Sequence, residues 1–217
     1  MAWLHSRQGH RWSTAHSHPH HLRYFIVVAL MSLLGTTFFV GVVPVSASRG
    51  QFTSFTVPTP QSGDGSITEG PDGALWFTAA DSIGRITTSG KVKEYPLPEQ
   101  YTYLDGIVAG PDHALWFTEE SQNVIGRVTT FGAISEYFLG GSEFSIQPIG
   151  ITLGPDKALW FTEYATGAIG RITRKGLIST YKIPGTENEP LGITAGPDAS
   201  MWFGNPGYNE IGRITTQ

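Results

Sequence analysis

A nine-residue pattern that recurs four times constrains the fold of this chain more than any other feature. Its third copy, residues 154–162, reads Gly-Pro-Asp-Lys-Ala-Leu-Trp-Phe-Thr, and every copy has a Trp-Phe pair at the same place. The four tryptophans follow one another at intervals of 40, 44 and 42 residues: Trp76, Trp116, Trp160 and Trp202. A period of about 40–45 residues is typical of four-stranded propeller blades, although some helical repeats have a similar length.

The composition of the repeats argues against helices. They are rich in Gly, Pro, Thr, Ile and aromatic residues, which break helices or favour pleated surfaces. Turn residues divide each repeat into four short segments, which in the third repeat are 149–153, 158–163, 168–173 and 177–183. We therefore predict an all-β protein, a β-propeller of four four-stranded blades with repeats at about 66–98, 106–139, 149–184 and 191–217.

The two ends of the repeat region complement each other. Residues 51–58 match the fourth segment of a repeat but follow no earlier repeat, whereas the last repeat runs to Gln217 after its third segment. Pairing of the N-terminal strand (51–58) with the last blade would complete the fourth sheet and remove an exposed edge. Two alternatives stay open: a shortened version of a larger ring, or a homodimer in which a second chain completes the ring.

Residues 1–47 have the features of a secretory signal peptide. Three arginines and no acid precede a largely apolar run from Tyr24 to Val43, and small residues suit cleavage after Ala47. The apolar run is also long enough for an N-terminal membrane anchor. Either reading predicts a domain that is secreted or held at the extracellular side. Six of the seven histidines lie in this segment, where no scaffold would hold them around a metal.

The remaining chain is acidic and has no cysteine, so packing alone must stabilise it. All 18 acids but only 11 of the 14 bases follow residue 47, which gives that part a net charge of −7. This balance predicts no nucleic-acid partner.

Positions that the repeats share are expected to build the scaffold. The four tryptophans are predicted to pack between blades, and the arginine of each Ile-Gly-Arg motif to bond carbonyls or acids between blades. Positions that differ between repeats are candidates for a site. They fall in the loops that join the fourth strand of one blade to the first strand of the next, and in the loops between second and third strands. Both kinds of loop are expected to emerge on the same face.

That face is predicted to be acidic and aromatic. Its loops contain eleven acids and no Lys or Arg: Asp64, Asp81, Glu99, Asp105, Glu119, Glu120, Glu143, Glu163, Glu187, Glu189 and Glu210. Such crowding predicts a divalent cation such as Mg²⁺ or Ca²⁺, raised pKa values or a positively charged ligand, and a merely solvated surface is the simpler alternative. Five rings share the face and predict a small-molecule, peptide or glycan ligand: Tyr101, Tyr103, Phe144, Tyr164 and Tyr208.

Three motifs resemble the virginiamycin B lyase family, whose members open streptogramin antibiotics. They are Gly-Pro-Asp-Gly-Ala-Leu-Trp-Phe-Thr (70–78), Ile-Gly-Arg-Ile-Thr (83–87, 169–173 and 211–215) and Glu-Tyr-Pro-Leu-Pro (94–98). The resemblance covers nearly all of the chain after residue 50. It implies a propeller with three of the family's seven blades absent.

The resemblance also implies a chemistry, from which this chain departs. The family opens a cyclic depsipeptide by elimination, with a histidine base in a Glu-Pro-His-Gly-Ile context and Mg²⁺ held by acids. Here the run is Glu189-Pro190-Leu191-Gly192-Ile193, with Leu191 at the histidine position. Other repeats offer Asp105 or Ile149 there, so Asp105 is the candidate base. The candidate metal ligands are Glu189, Glu163 and Glu119.

Three functions follow from these residues. We favour a secreted module that binds a ligand through the acidic, aromatic face without histidine-based catalysis. The alternatives are an active Mg²⁺-dependent lyase of the streptogramin type and a Ca²⁺-dependent lactonase-like hydrolase that uses Glu163, Asn205 and Asp105. His113 lies in a turn predicted on the opposite face and is an implausible base.

Overall fold

The computed structural model describes residues 50–59, 65–98, 103–185 and 188–216. The predicted leader and Tyr101 lie outside these ranges. Residues 52–217 form one compact unit. In the described part of the chain, no helix is long and apolar enough to cross a membrane.

Four antiparallel sheets follow one another along the chain, and each corresponds to one repeat. Blade 1 contains β1 (Ile67–Glu69), β2 (Leu75–Ala79), β3 (Ser82–Ile86) and β4 (Val92–Pro96). Blade 2 contains β5 (Leu104–Ala109), β6 (Ala114–Glu119), β7 (Val124–Thr129) and β8 (Ile134–Phe138). Blade 3 contains β9 (Pro148–Leu153), β10 (Leu159–Glu163), β11 (Ala168–Ile172) and β12 (Ile178–Lys182). Blade 4 contains β13 (Ile193–Ala195), β14 (Ser200–Asn205) and β15 (Glu210–Thr215), with a short 3₁₀ turn at Pro206–Tyr208. The all-β propeller architecture predicted from the repeats is confirmed.

The Gly-Pro-Asp turns set where the second strand of each blade begins. The fourth residue of each turn has a positive φ, which is 73° at Gly73 but also 57° at His113 and 57° at Ala199. The left-handed region disfavours side chains, so these turns carry strain wherever the residue is not glycine. His113 is therefore the left-handed residue of a turn, and this turn lies at the end of the sheets opposite the loops in which the repeats differ.

The core lies between blades. One cluster joins Trp76 and Ile83 of blade 1 to Leu115 and Phe117 of blade 2. Two further clusters repeat this arrangement between blades 2 and 3 and between blades 3 and 4. The second strands of blades 2 and 3 are buried on both faces, as their apolar sequence predicts.

A four-residue network explains the shared Asp, Trp and Arg positions. In blade 3, one Asp156 oxygen accepts a hydrogen bond from Trp160 Nε1 at 3.0 Å, and the other accepts one from Arg171 Nε at 2.7 Å. The Arg171 guanidinium lies 5.8 Å from the centre of the Trp160 ring. Tyr181 of the outer strand stacks on that ring at 5.5 Å. The arginines are scaffold residues, as predicted, but they bond acids within their own blade and not between blades.

The predicted closure by residues 51–58 is not seen. Residues 51–57 form no strand, and β15 has no outer partner in the described ranges. A side chain on Gly90 would overlap Phe55, and Thr59 donates a hydrogen bond to Glu94 at 2.9 Å, so this segment lies against blade 1. Among the described residues, apolar packing joins blade 1 to blade 2, blade 2 to blade 3 and blade 3 to blade 4. No fourth cluster joins blade 4 to blade 1 in these residues.

Candidate functional site

The variable loops gather at one end of the sheets, which we call the loop face. It comprises the hairpins 80–81, 120–123, 164–167 and 206–209, the interblade loops 139–147, 183–185 and 188–192, and residues 103–105 at the start of β5. In blades 1 to 3, a threonine near the end of the second strand ties this face together across blades, and blade 4 has Gly204 at the equivalent position. Thr162 Oγ1, for example, accepts from Gly150 N at 2.9 Å and donates to the Leu191 carbonyl at 2.7 Å.

These threonine bonds identify equivalent positions in successive blades. Thr78 donates to the carbonyl of Asp105 at 3.1 Å and Thr118 to that of Ile149 at 2.8 Å, as Thr162 does to Leu191. The equivalence of Asp105, Ile149 and Leu191 predicted from the sequence is therefore met in the structure. Leu191 is 39% exposed at its position, and its side chain can neither donate nor accept a proton.

Asp105 belongs to a carboxyl pair. Burial, followed by the negative charge of Glu120 and a hydrogen bond to it, raises the pKa of Asp105 to about 6. Gln147 of the next blade donates to Glu120 Oε1 at 2.6 Å. Asp105 therefore holds its proton more tightly than an isolated carboxyl and ionises near pH 6.

Two further polar side chains, Tyr164 of blade 3 and Glu189 just before β13 of blade 4, interact on the same face as the carboxyl pair. The charge of Glu189, then burial, then a hydrogen bond to Glu189 raise the pKa of the Tyr164 phenol. Both residues line a cleft of about 250 Å³. We call the following polar side chains, which come from three consecutive blades, the polar row: Asp105, Glu120, Gln147, Tyr164 and Glu189.

A cation also reaches the cleft. Lys182, at the end of β12, lines its wall and donates to the carbonyl of Thr166. No Lys or Arg was predicted in the loops of this face. Lys182 belongs to the end of a strand and not to a loop, so the loop sequences gave no sign of it.

Two of the predicted ligand-binding rings lie together. Tyr103 and Phe144 have ring centres 6.0 Å apart, and both are exposed, Tyr103 by 62% of its surface. Tyr208, in the 3₁₀ turn after β14, is also exposed. Tyr164 is partly exposed. The loop face therefore presents exposed aromatic rings in addition to the polar row.

Two buried asparagines hold the loops in place. Asn123 Oδ1 accepts from the backbone N–H groups of Ile146 and Gln147 at 3.0 and 3.1 Å. Asn205 Oδ1 accepts from Glu189 N at 3.0 Å, and its Nδ2 donates to Asn188 at 2.9 Å. These bonds preorganise the backbone that carries Gln147 and Glu189.

The predicted metal ligands do not converge. Both Glu163 oxygens accept hydrogen bonds at 2.9 Å, one from Thr166 and one from Thr180. Glu119 is 1% exposed, whereas Glu189 lies at the surface. Within the described ranges, no three His, Cys, Asp or Glu side chains are placed to hold one metal ion. These residues therefore do not fit the Mg²⁺ or Ca²⁺ site proposed for Glu119, Glu163 and Glu189.

The lactonase-like arrangement is likewise not assembled. Asn205 is engaged with Asn188 and the Glu189 backbone, and Glu163 bonds a threonine of the outer strand. Only Asp105 of that set belongs to the polar row.

Sequence reasoning missed three contributors. Gln147 carried no signal, because its role depends on a neighbour in another blade. The threonine that follows the Trp-Phe pair in three of the four repeats could have been recognised, since a polar residue recurs there in an otherwise apolar strand. Asn123 could have been noticed as a polar residue at the end of a hairpin, whereas Asn205 was named, but for the lactonase-like arrangement and not for holding the loop.

The chain was compared with known proteins. The model of the virginiamycin B lyase family matches residues 40–217. A solved structure of a catalytically inactive virginiamycin B lyase from Staphylococcus aureus with quinupristin is 47% identical, with a TM-score of 0.71, and the match covers 75% of this chain and 55% of that one. A streptogramin B lyase structure is also 47% identical, with a TM-score of 0.73 and coverage of 77% and 56%.

A curated virginiamycin B lyase from Bordetella parapertussis is 44% identical over 50 residues, which is 22% of this chain and 17% of that protein. The present chain spans little more than half the length of the solved lyases. The family model covers most of the chain, and the closely similar structures share its repeated sheets. The chain belongs to the virginiamycin B lyase family.

Proposed function

We propose that this protein binds a peptide macrocycle of the streptogramin type at the loop face and does not open it by histidine-based catalysis. The row formed by Asp105, Glu120, Gln147, Tyr164 and Glu189 carries the proposal. It offers carboxylates, an amide and a phenol to the polar groups of a peptide, and the loop face also carries exposed rings for stacking.

The preorganised loops support binding. Asn123 and Asn205 fix the backbone around the row, so a ligand need not order these segments when it binds. A structural relative, the Staphylococcus aureus lyase, was solved with quinupristin, which makes that compound the natural probe.

The position of Leu191 supports the absence of histidine-based chemistry. A general base must lie within hydrogen-bonding reach of the proton that it removes, and a leucine offers no such group. Among the described residues the one histidine is His113, in a turn at the opposite end of the sheets.

Isothermal titration calorimetry with quinupristin tests the binding. We expect Glu189→Gln and Tyr164→Phe each to weaken binding about tenfold, because each removes a charged or hydrogen-bonding partner. Glu143→Gln is the matched control, since Glu143 is an exposed acid on the same face outside the row. Absence of binding by the wild-type protein, or equal weakening in the control, would reject the assigned site.

One observation favours a second function, which is ring opening with Asp105 as the base. A carboxyl with a pKa of about 6 is suited to accept a proton near neutral pH. This function predicts linear product, a rate that rises through pH 6 to a plateau, and no product with Asp105→Asn. Asp105 lies two blades away from Leu191, so it would act at a different part of the loop face than the family histidine.

Export is the remaining part of the proposal, and it rests on residues 1–47. Expression in a secreting host followed by N-terminal sequencing of the mature protein tests it. A chain that begins at Ser48 is the expected result, whereas an intact N-terminus at the membrane would identify an anchor.

A further inference from the structure

Blade 4 exposes a face that the other three blades bury. The isoleucine that opens each Ile-Gly-Arg motif is 0–1% exposed in blades 1 to 3, at Ile83, Ile125 and Ile169. The same residue in blade 4, Ile211, is 72% exposed. The residue type is unchanged, so the difference in exposure arises because no described residue packs against this face of blade 4.

This face forms an apolar groove of about 370 Å³. Its walls include Ile193, Trp202, Phe203 and Ile211. The Asp-Trp-Arg network at its edge is also more open than in the other blades, with 45% of the Arg213 side chain exposed against 24% for Arg171.

Blade 1 exposes the face that, in blades 2 and 3, packs against the preceding blade. Leu75 is 38% exposed, whereas its equivalents Leu115 and Leu159 are fully buried against the preceding blade. Ile67 of β1 is 59% exposed. Each interblade cluster joins a face like that of blade 4 to a face like that of blade 1, so the two free faces are complementary.

Residues 51–58 already lie where the outer strand of a preceding blade would lie. Phe55 covers Gly90 in the β3–β4 turn of blade 1. In the same way Tyr95 of blade 1 covers Gly132 of blade 2, and Tyr137 of blade 2 covers Gly176 of blade 3. The sequence aligns Phe55 with Tyr95, and Tyr95 stacks on Trp76 of its own sheet.

We propose that two copies of this chain associate head to tail, with blade 1 and residues 51–58 of one copy docked on blade 4 of the other. The N-terminal segment of each copy supplies the fourth strand to β15 of its partner. Two identical contacts close an eight-bladed ring, within the four to eight blades of known propellers. The association does not depend on the proposed ligand.

The register of the new strand pair follows from blade 1. There Ile83 pairs with Tyr95 and Ser82 with Pro96. By equivalence, Ile211 faces Phe55 and Glu210 faces Thr56 of the other copy. Phe55 would then stack on Trp202, as Tyr95 stacks on Trp76.

Light scattering coupled to size-exclusion chromatography of the full chain measures the assembly. The expected mass is twice the chain mass of 23.6 kDa. Ile211→Glu should give the monomer mass, because it places a charge in the contact, and Phe131→Glu, at an exposed turn residue away from both faces, should leave the dimer intact. A wild-type monomer, or open-ended polymers, would overturn the proposal.

A disulfide trap tests the register and the identity of the partner. The chain has no cysteine, so Thr56→Cys with Glu210→Cys introduces one defined pair. On oxidation we expect a covalent dimer on a non-reducing gel, and a mixture of the two single variants should give the same band. An intrachain disulfide would show that residues 51–58 close their own ring, and absence of a crosslink would show that the strands do not pair. Either result would overturn the proposal.

Discussion

Replacement of Asp156 by alanine is expected to destabilise the protein strongly, although the side chain lies near the surface. The carboxylate accepts from Trp160 Nε1, from Arg171 Nε and from the backbone N–H of Ala158. Trp160 is 1% exposed, so its indole N–H loses its partner in a place that water does not readily reach.

The expected loss in free energy of unfolding follows from these contacts. An orphaned buried donor costs about 1–3 kcal/mol, and a hydrogen bond to a charged group contributes about 1.5–3 kcal/mol. Arg171 is 24% exposed and regains part of its hydration, which reduces the second contribution. We expect a loss of about 3 kcal/mol for Asp156→Ala and of about 1–2 kcal/mol for Asp156→Asn, which keeps an acceptor oxygen.

The effect should depend on pH in a defined direction. Burial opposes ionisation of Asp156, but hydrogen bonds from Trp160 and Arg171 outweigh it and hold the pKa below its ordinary value. The ionised form is therefore favoured in the folded state. Its stabilisation is fully present above the unfolded pKa of about 4 and is lost as the pH falls through the folded pKa.

Urea unfolding followed by tryptophan fluorescence measures these differences at pH 7 and at pH 3. Arg171→Met serves as the comparison, because it removes the ion pair and leaves the Trp160 bond in place. The reasoning fails if Asp156→Ala costs less than about 1 kcal/mol at pH 7, or if its cost is the same at both pH values.

Four further outcomes are expected. Asp105→Asn should stabilise the protein more at pH 7.5 than at pH 4. The raised pKa of Asp105 favours its neutral form in the folded state, so the wild type loses stability as the pH rises from about 4 through 6. Thermal melts at both pH values check this. Ala199→Gly should stabilise by about 0.5–1 kcal/mol, since φ is 57°, whereas Gly73→Ala at the equivalent turn should destabilise, as urea titrations would show. Thr162→Val should cost about 2 kcal/mol in the same titrations, because two buried hydrogen bonds between strands are lost. Millimolar Mg²⁺ should not raise the melting temperature beyond a NaCl control of equal ionic strength, since both Glu163 oxygens are already bonded by threonines; a larger rise would reveal a metal site.

The repeated positions explain how much of the fold could be predicted. Trp160, Phe161 and the turn at 154–156 recur at fixed offsets, so their local geometry follows from turn chemistry and apolar patterning alone. The predicted segments of the third repeat agree with β9 to β12 to within one residue at every end. The fate of residues 51–58 could not be predicted in this way, because a strand sequence does not specify which of two edges it joins.

The site was less predictable, for a physical reason. Asp105 was identified from its repeat position, and its raised pKa was anticipated as an effect of crowding. Glu163 was assigned to a metal because it is acidic, but two threonines occupy its oxygens, and one of them, Thr180, belongs to the outer strand, seventeen residues away. Whether two acids lie close together depends on the directions of their side chains and on the neighbouring blades. The local sequence pattern predicts neither.

The central claim is that the loop face holds a streptogramin macrocycle without opening it. Chromatography with mass detection of quinupristin recovered after incubation tests it directly, because elimination leaves the mass unchanged but alters retention, whereas hydrolysis adds the mass of one water. The account predicts that retention and mass both stay unchanged while calorimetry on the same sample records binding. A new peak of unchanged mass, formed by the wild-type protein and not by Asp105→Asn, would contradict it and establish a lyase.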